Sequence, residues 1–226
     1  MEKINVLLPM KGHSERVPNK NLKDFNGAPL YHAIIGKLER SSFVDKVYIN
    51  TDSEEIKKNA QNNFNNIVII DRPERIQGDH VSMNKIIEYD LSKIEGDHFL
   101  QTHCTNPLLR ATTLDEAIKF YFKNLEVYDS LFAVTEWQTR LYWGNGDAIN
   151  HDPEELIRTQ DLTPVFEENS NFYIFSKQSF QNANNQRIGM KPYMFEVNQL
   201  EAIDIDEPED FIIAETLFKK LNSEIK

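Results

Sequence analysis

Three cations stand close together in a short stretch near the start of the chain. Lys11, Arg16 and Lys20 follow the apolar run Ile4–Met10, whose β-branched residues predict a buried strand. In open α/β sheets, ligands bind just outside the carboxyl ends of the strands. Gly12 allows close approach of a ligand, and free backbone N–H groups can hold anionic oxygens. The loop therefore predicts a polyphosphate site, the alternative being a solvated basic turn.

The glycines of this loop do not fit the common nucleotide-binding motifs. A Walker P-loop needs G-x-x-x-x-G-K-[ST] and a dinucleotide-binding turn needs G-x-G-x-x-G, whereas residues 10–21 contain Gly12 alone. The glycine pattern therefore does not indicate an ATPase or a dinucleotide-dependent dehydrogenase.

Two carboxylates, Asp204 and Asp206, lie two residues apart near the other end of the chain. If residues 202–206 form a strand, both side chains project from the same face. Two like charges at that separation favour a cation between them, and carboxylates combined with phosphate oxygens suit Mg²⁺. The alternative is an exposed edge strand that leads into an acidic helix start. Together with the basic loop, the pair predicts phosphoryl or nucleotidyl transfer, which depends on positioning and charge neutralisation.

Composition limits the class of protein. The 226 residues suit one domain over 1–226, and the formal net charge of −11 argues against a nucleic-acid binder. The one cysteine, Cys104, cannot form an internal disulfide, and a buried apolar role is favoured over a nucleophile activated by His103. No apolar run reaches the ~18 residues of a membrane span. We expect a cytoplasmic protein with no membrane partner.

The first half alternates between patterns typical of strands and of helices. Strands are predicted over 4–10, 44–50, 67–70 and 98–101, and helices over 29–40, from 53, over 82–94 and over 112–122. Thr113 and Glu116 suggest a capping box for the last of these helices. Such repeated βα units predict a mostly parallel sheet that is covered on both faces.

The pattern changes after the strand-like residues 130–134. Residues 136–169 are aromatic, polar and rich in turn formers, with a hairpin predicted at 144–147. We interpret this stretch as a small excursion from the sheet. Further strands are then predicted, followed by a closing helix, at 172–175, 194–197, 202–206 and 208–221.

The motifs resemble those of the acylneuraminate cytidylyltransferases, also called CMP-sialic acid synthetases. The opening motif of that family is similar to (A/P)-R-x-x-S-x-x-x-P-x-K-N, and residues 10–21 read MKGHSERVPNKN. Further similarity occurs at 50–53, 78–82, 101–109 and 203–206, so the resemblance spans nearly the whole chain.

The resemblance implies a three-layer, Rossmann-like α/β nucleotidyltransferase domain that forms a homodimer through the excursion. The implied reaction transfers CMP from CTP to the hydroxyl of an acidic nine-carbon sugar and releases pyrophosphate, with Mg²⁺ as cofactor. It also implies catalytic roles for Lys11, Lys20 and Asp206, with the metal held by Asp204 and Asp206. The substrate-binding residues that it implies are Ser14, Arg16, Asn21, Ser82, Gln101, Arg158 and Asn169.

The chain also departs from the family pattern. Lys11 stands where the family usually has arginine, and Glu167 and Glu168 precede Asn169 where the family has basic or neutral residues. Two carboxylates facing an acceptor would repel a second negative group. We therefore expect an acceptor that differs from plain N-acetylneuraminate near this edge, by an amino, amidino or shortened side chain.

Two other functions stay open from the sequence. The chain could be a cytidylyltransferase for a different acidic acceptor, such as a 3-deoxy-ulosonic acid or a phosphonate. It could also be a non-catalytic nucleotide-binding domain of the same fold. The presence together of Lys11, Lys20, Asp204 and Asp206 argues against the latter.

Overall fold

A seven-stranded sheet organises the chain, which a computed structural model describes over residues 2–223. The strands are β1 (Ile4–Met10), β2 (Asp24–Phe25), β3 (Ala28–Pro29), β4 (Val44–Thr51), β5 (Ile67–Asp71), β6 (His98–Thr102), β7 (Ser130–Trp137), β8 (Val165–Ser176) and β9 (Pro192–Glu196). The α-helices are α1 (His32–Leu38), α2 (Glu54–Asn63), α3 (Met83–Leu91), α4 (Ala111–Lys123), α5 (Lys177–Asn182) and α6 (Pro208–Ser223). Short 3-10 turns lie at Lys20–Leu22, Glu74–Ile76 and Thr159–Asp161.

The order of the sheet is β5-β4-β1-β6-β8-β7-β9, while β2 and β3 form a separate two-stranded ribbon. Neighbours from β5 to β6 are parallel, β8 is antiparallel to both β6 and β7, and β9 is parallel to β7. Strands β7 and β9 therefore run in the same direction as β6. Six strands thus end at one edge of the sheet, which we call the carboxyl edge, and this is where ligands bind in such folds.

Helices cover both faces of the sheet, which confirms the three-layer α/β prediction. Alternate residues of β1 separate the two cores, with Val6 and Leu8 in one and Leu7 in the other. The first core also holds apolar residues of α1, α2 and α4, and the second holds residues of α3 and α5. No helix within residues 2–223 combines the length and apolar character needed to cross a membrane.

Strand β8 pairs with its neighbours in two stretches. Tyr173, Ile174 and Phe175 have partners on both sides, in β6 and in β7, and Phe172 pairs with β6. Val165–Glu168 pairs with β7 alone, and the register shifts between these stretches at Phe132 and Val134 of β7. Ser170, between the stretches, has a φ of 57°. The strand therefore changes at residues 169–171 from two-sided to one-sided pairing.

The stretch expected as an excursion contains sheet residues at both of its ends. Strand β7 continues to Trp137, and β8 begins at Val165. Residues 138–164 between them hold no strand, only the 3-10 turn Thr159–Asp161 and an isolated bridge, Tyr142 to Ala148, that closes the predicted 144–147 turn. We call residues 138–164 the protruding segment.

Two local predictions are wrong. Residues 202–206 are not a strand, because their backbone bonds to a loop: Ile205 N–H donates to the carbonyl of Thr105 (2.9 Å). The capping box at Thr113 is also wrong, because α4 begins two residues earlier at Ala111. The Thr113 hydroxyl instead donates to Glu201 (2.7 Å).

Candidate active site

A cavity of about 240 Å³ opens at the carboxyl edge, between the loop after β1, the turn before α3 and the loop after β6. The polar side chains that line it are Lys11, Ser14, Lys20, Asn21, Arg72, Asp79, His103 and Thr105. Four of these are residues that the sequence singled out: Lys11, Ser14, Lys20 and Asn21. A wider, more open groove of about 490 Å³ lies at the ends of β7 and β9, but it lacks cations, so we place the phosphate chemistry in the first cavity.

Glycine is required at position 12 because the loop after β1 lies against the start of α2. A Cβ at Gly12 would lie 2.9 Å from the Cβ of Ser53, and Gly12 N–H donates to Asp52 Oδ1 (2.7 Å). The side chain of Ser53 caps α2 by accepting from Ile56 N–H (3.3 Å). The loop conformation is therefore fixed by the carboxyl end of β4.

Asn21 fixes the other end of the basic loop. It is buried, and its Nδ2 donates to the carbonyl of Lys11 (2.9 Å), while Cys104 Sγ donates to Asn21 Oδ1 (2.8 Å). Burial raises the pKa of the Cys104 thiol to about 12. A thiol of that pKa is protonated at neutral pH, which agrees with an apolar, non-nucleophilic role.

Arg16 and Lys20 lie against the acidic segment that leads into α6. Arg16 donates to Asp206 Oδ1 (2.8 Å) and Glu207 Oε1 (3.0 Å), and these partners raise its pKa. Lys20 is 14% exposed, donates to the carbonyl of Ile205, and its Nζ lies 3.7 Å from Asp206 Oδ1. The structure thus brings together the two ends of the chain that the sequence marked for phosphate and metal chemistry.

Lys11 pairs with Asp79 across the mouth of the cavity. Both side chains are about two-fifths exposed, and the hydrogen bond from Lys11 lowers the pKa of Asp79. Ser14 is buried in the wall, whereas Ser82 is exposed at the start of α3 and its hydroxyl does not cap the helix. Exposed ion pairs are weak and screened by salt, so an anionic ligand could replace Asp79 at Lys11.

Asp204 and Asp206 are close together although their segment is not a strand. Burial raises the pKa of Asp204, a hydrogen bond from the Thr105 side chain lowers it, and the charge of Asp206 raises it. Asp204 Oδ1 is buried without a hydrogen-bond partner among the described residues, and Asp206 is half exposed. A buried oxygen without a partner beside a second carboxylate fits a hard cation that completes its shell with phosphate and water. The donor set therefore fits Mg²⁺.

Arg72 is a cavity cation that the sequence reading missed. It is buried; its Nε donates to Asn50 Oδ1 (2.6 Å) and a terminal nitrogen donates to the Asn50 carbonyl (2.9 Å). Asn50 Nδ2 in turn donates to Asp90, a fully buried residue of α3. Burial raises the pKa of Asp90 to about 7, although Asn50 and Arg72 lower it. Arg72 directly follows β5, at the carboxyl end of a parallel strand, and this position could have identified it as a site residue.

A second polar cluster adjoins the cavity through His103. The fully buried Gln101 has its Nε2 2.9 Å from His103 Nε2, and its Oε1 accepts from Arg187 (2.8 Å). Burial lowers the pKa of His103 to about 3, so the imidazole is neutral. Arg187 also donates to the hydroxyl of Tyr173 (3.0 Å), which donates to Glu168. No sequence pattern marks Arg187, because it follows an asparagine-rich turn outside any periodic element.

Three remaining candidates lie outside these contacts. Asn169 is buried and donates to Thr135 Oγ1 (2.9 Å). Arg158 is exposed in the protruding segment and pairs with Asp161 (2.7 Å). Glu167 points away from Glu168 and accepts from Trp137 Nε1 (2.7 Å). The structure brings none of these three to the cavity.

Comparison with known proteins gives one match to a family model. A model described as "Cytidylyltransferase" matches residues 5–224. The pseudaminic acid cytidylyltransferase of Campylobacter jejuni is 26% identical over 226 residues, which cover 94% of this chain and 95% of the relative. N-acylneuraminate cytidylyltransferase A of Danio rerio is 29% identical over 94% of this chain, and the match spans 50% of that longer relative.

Solved structures give the same fold at low identity. The structure of CMP:2-keto-3-deoxy-manno-octonic acid synthetase complexed with CTP matches with a TM-score of 0.71 and 15% identity, covering 97% of this chain and 99% of the other. A 4-diphosphocytidyl-2C-methyl-D-erythritol synthase matches with a TM-score of 0.68 and 12% identity, covering 96% and 100%. These two likenesses establish the fold and no more.

Proposed function

The chain belongs to the cytidylyltransferase family, and from this premise we propose that it transfers CMP from CTP to a hydroxyl of an acidic, sialic-acid-like nine-carbon sugar, releasing pyrophosphate. One observation supports the proposal most directly. Lys11 and Lys20 line a cavity on the carboxyl edge, and Arg16 pairs with Asp206 in the acidic segment beside Lys20. That combination of cations and acidic metal ligands is what a nucleoside triphosphate requires.

The cations would act by exchanging partners. Lys11 and Arg16 now pair with exposed carboxylates, and Lys20 pairs with a backbone carbonyl. Phosphate oxygens would replace these partners and gain charge-assisted hydrogen bonds. The acceptor hydroxyl would then attack the α-phosphorus in line: an oxygen–phosphorus bond forms, the bond to pyrophosphate breaks, and the hydroxyl proton is released. Lys11 and Lys20 would neutralise the leaving group.

Asp204 and Asp206 are our proposed Mg²⁺ ligands. When bound there, the ion would neutralise charge on the α-phosphate and on the leaving pyrophosphate. The unpartnered buried Oδ1 of Asp204 supports the assignment. The pairing of Arg16 with Asp206 would hold that carboxylate in place before substrate arrives.

The nucleoside and the acceptor would occupy different sides of His103. Asn21 and Ser82 are proposed to lie near the cytidine, because Asn21 lines the cavity and Ser82 lies between two residues that line it, Val81 and Met83. Gln101, beyond His103, is proposed to contact the acceptor. This division assigns CTP to the side of β1 and β4, and the sugar to the side of β8.

A homodimer is a further part of the proposal. The protruding segment exposes large apolar side chains: Tyr142 (53%), Trp143 (63%) and Leu156 (81%). Exposed apolar residues grouped in this way mark interaction sites. We also propose that the enzyme works in the cytoplasm, where CTP is made and where the single buried Cys104 stays reduced.

A pyrophosphate-release assay tests the proposed reaction. CTP is supplied with N-acetylneuraminate, pseudaminate, 2-keto-3-deoxy-octonate or no acceptor, and ATP and UTP replace CTP as controls. We expect release that requires both CTP and a nine-carbon acid, with a product heavier than the acceptor by a CMP residue. Best activity with the eight-carbon acid would favour the alternative acceptor class. CTP binding without release for any acid would indicate a non-catalytic nucleotide-binding domain.

A further inference from the structure

Arg187 is a half-sequestered cation at the side of the site that faces away from the phosphate loop. Its side chain is 19% exposed, and its guanidinium carbon lies 3.7 Å from the ring centroid of Tyr173. One terminal nitrogen donates to Gln101 Oε1 (2.8 Å) and the other to the Tyr173 hydroxyl (3.0 Å). The guanidinium is therefore held in a fixed plane.

Both of these hydrogen-bond acceptors are neutral groups. The closest carboxylate to Arg187 in the described part of the chain is Glu168, at 3.8 Å, and it accepts from the Tyr173 hydroxyl instead. Burial lowers the pKa of Arg187, yet a guanidinium stays charged at any working pH. A buried charge without an ion-pair partner at hydrogen-bond distance is costly. A ligand anion would supply the missing partner.

The cluster adjoins the point where the acceptor must react. Gln101 joins Arg187 to His103, and His103 lines the nucleotide cavity. His103 therefore lies between two cations, because Lys20 lines the same cavity and Arg187 bonds to the same glutamine. In a 2-keto acid sugar, the carboxylate and the attacking hydroxyl share one carbon atom. When that hydroxyl reaches the cavity, the carboxylate on the same carbon must therefore lie close to the cluster of Gln101, His103 and Arg187.

We propose that Arg187 binds the carboxylate of the acceptor and makes the acid, rather than a neutral sugar, the substrate. This assignment rests on the proposed function. The planar guanidinium matches two carboxylate oxygens, and its stacking on Tyr173 fixes the direction of the fork. Gln101 and Tyr173 are positioning residues for Arg187. Glu168, whose side chain is 44% exposed, lies beside the bound acid and limits further negative charge there.

The experiment compares the acid with its C1 carboxamide in three proteins: wild type, Arg187→Gln and Arg187→Lys. We expect wild type to favour the acid by about 100-fold in kcat/KM, the scale of losing one partner of a sequestered charge pair. Arg187→Gln should lower kcat/KM for the acid by a similar factor. It should change kcat/KM for the carboxamide less than threefold. For Arg187→Lys, kcat/KM for the acid should lie between the values of wild type and Arg187→Gln, because the positive charge remains but the two-pronged donor geometry is lost. The KM for CTP should be unchanged in both variants.

Arg75→Gln is the matched control, because Arg75 also stacks on a tyrosine, Tyr89, at 5.2 Å. It should leave the preference for the acid intact. Equal losses for acid and amide, or a raised KM for CTP, would show that Arg187 only supports the fold and would overturn the assignment. If Arg187→Gln does not fold, the lysine variant gives the same test. Lack of turnover by wild type with every acidic sugar would instead overturn the proposed function, and this assignment with it.

Discussion

Two cations of the phosphate loop and one cation near β8 are held in opposite ways at the carboxyl edge. On the side of β1 and β4, Lys11 and Arg16 are exposed and already paired with carboxylates. On the side of β8, Arg187 is largely buried and has neutral hydrogen-bond partners. The first arrangement suits a highly charged ligand that replaces weak, screened pairs. The second suits one anionic group that satisfies one buried charge.

This difference assigns different kinds of recognition to the two sides. Lys11 and Arg16 are solvated and can adapt to different arrangements of phosphate oxygens, so we expect them to recognise the total charge of a ligand. The stacked guanidinium of Arg187 has donors in one fixed direction, so we expect it to recognise the position and orientation of one anionic group. Changes on the first side should therefore affect all acceptors alike, and changes on the second should depend on the acceptor.

The largest effect is expected from Asp206→Asn. Loss of this carboxylate removes a proposed Mg²⁺ ligand, and turnover should fall by at least ~100-fold for every acceptor. The Mg²⁺ concentration for half-maximal activity should rise. Turnover measured across a Mg²⁺ titration, with two acceptors, checks both statements.

Glu207→Gln is the control for Asp206→Asn, since Glu207 is the other carboxylate partner of Arg16. It should cost much less activity and leave the Mg²⁺ requirement unchanged. Similar losses in the two variants would mean that Asp206 acts by holding Arg16, and the metal would then lie elsewhere.

Asp90→Asn should have an intermediate effect, on stability. Burial raises the pKa of Asp90 to about 7, so the folded state keeps a proton that the unfolded state has lost. Stability of the wild type should therefore fall as the pH rises from about 4 to about 7, by up to ~4 kcal/mol at 1.36 kcal/mol per pKa unit. The variant lacks this slope. Because its new amide N–H₂ is buried, we expect a net gain of only ~2 kcal/mol at pH 8.

Urea unfolding at pH 5 and at pH 8 measures that difference. The result sharpens the comparison between the two sides, because a neutral Asp90 would give Arg72 neutral surroundings like those of Arg187. If the variant is instead destabilised equally at both pH values, Asp90 is ionised. Arg72 would then have a carboxylate partner nearby, as Lys11 and Arg16 do.

The smallest effect is expected from Glu168→Gln, which should change acceptor preference about fivefold and leave the KM for CTP unchanged. Glu168 lies in the Arg187 cluster and should favour hydroxyl or amino groups over a second negative group. Glu167→Gln is the matched control, because Glu167 points to the other face and bonds to Trp137. An unchanged profile, or best activity of the wild type with plain N-acetylneuraminate, would make Glu168 a solvent-facing residue.

The phosphate side could be predicted from sequence because its signals are local. One apolar strand followed at once by a basic loop is enough to place Lys11, Arg16 and Lys20 at the carboxyl edge. Asp204 and Asp206 were expected together, and the structure places them together for another reason. The side chain of Thr105 and Arg16 hold the two carboxylates, rather than the pleat of a strand.

The acceptor side depends on contacts that no local pattern records. Arg187 reaches Gln101 across 86 positions of sequence and bonds to Tyr173 on another strand. The spacing of residues 184–189 gives no periodic signal, and the turn direction there depends on positive φ angles at Asn184 and Asn185. Tertiary packing, not propensity, places this cation.

The change from two-sided to one-sided pairing within β8 has a consequence for local motion. Amides of Phe172–Phe175 lie in the middle of the sheet, whereas Val165–Glu168 can separate from β7 without disturbing β6. Hydrogen exchange should therefore be slow in the second half of the strand and faster in the first, with the boundary near Ser170. A subunit that docks on the protruding segment would slow exchange in Val165–Glu168 and leave Phe172–Phe175 unaffected. The first half of β8 would thus respond to subunit association, while the second half would keep the exchange rates of the central sheet.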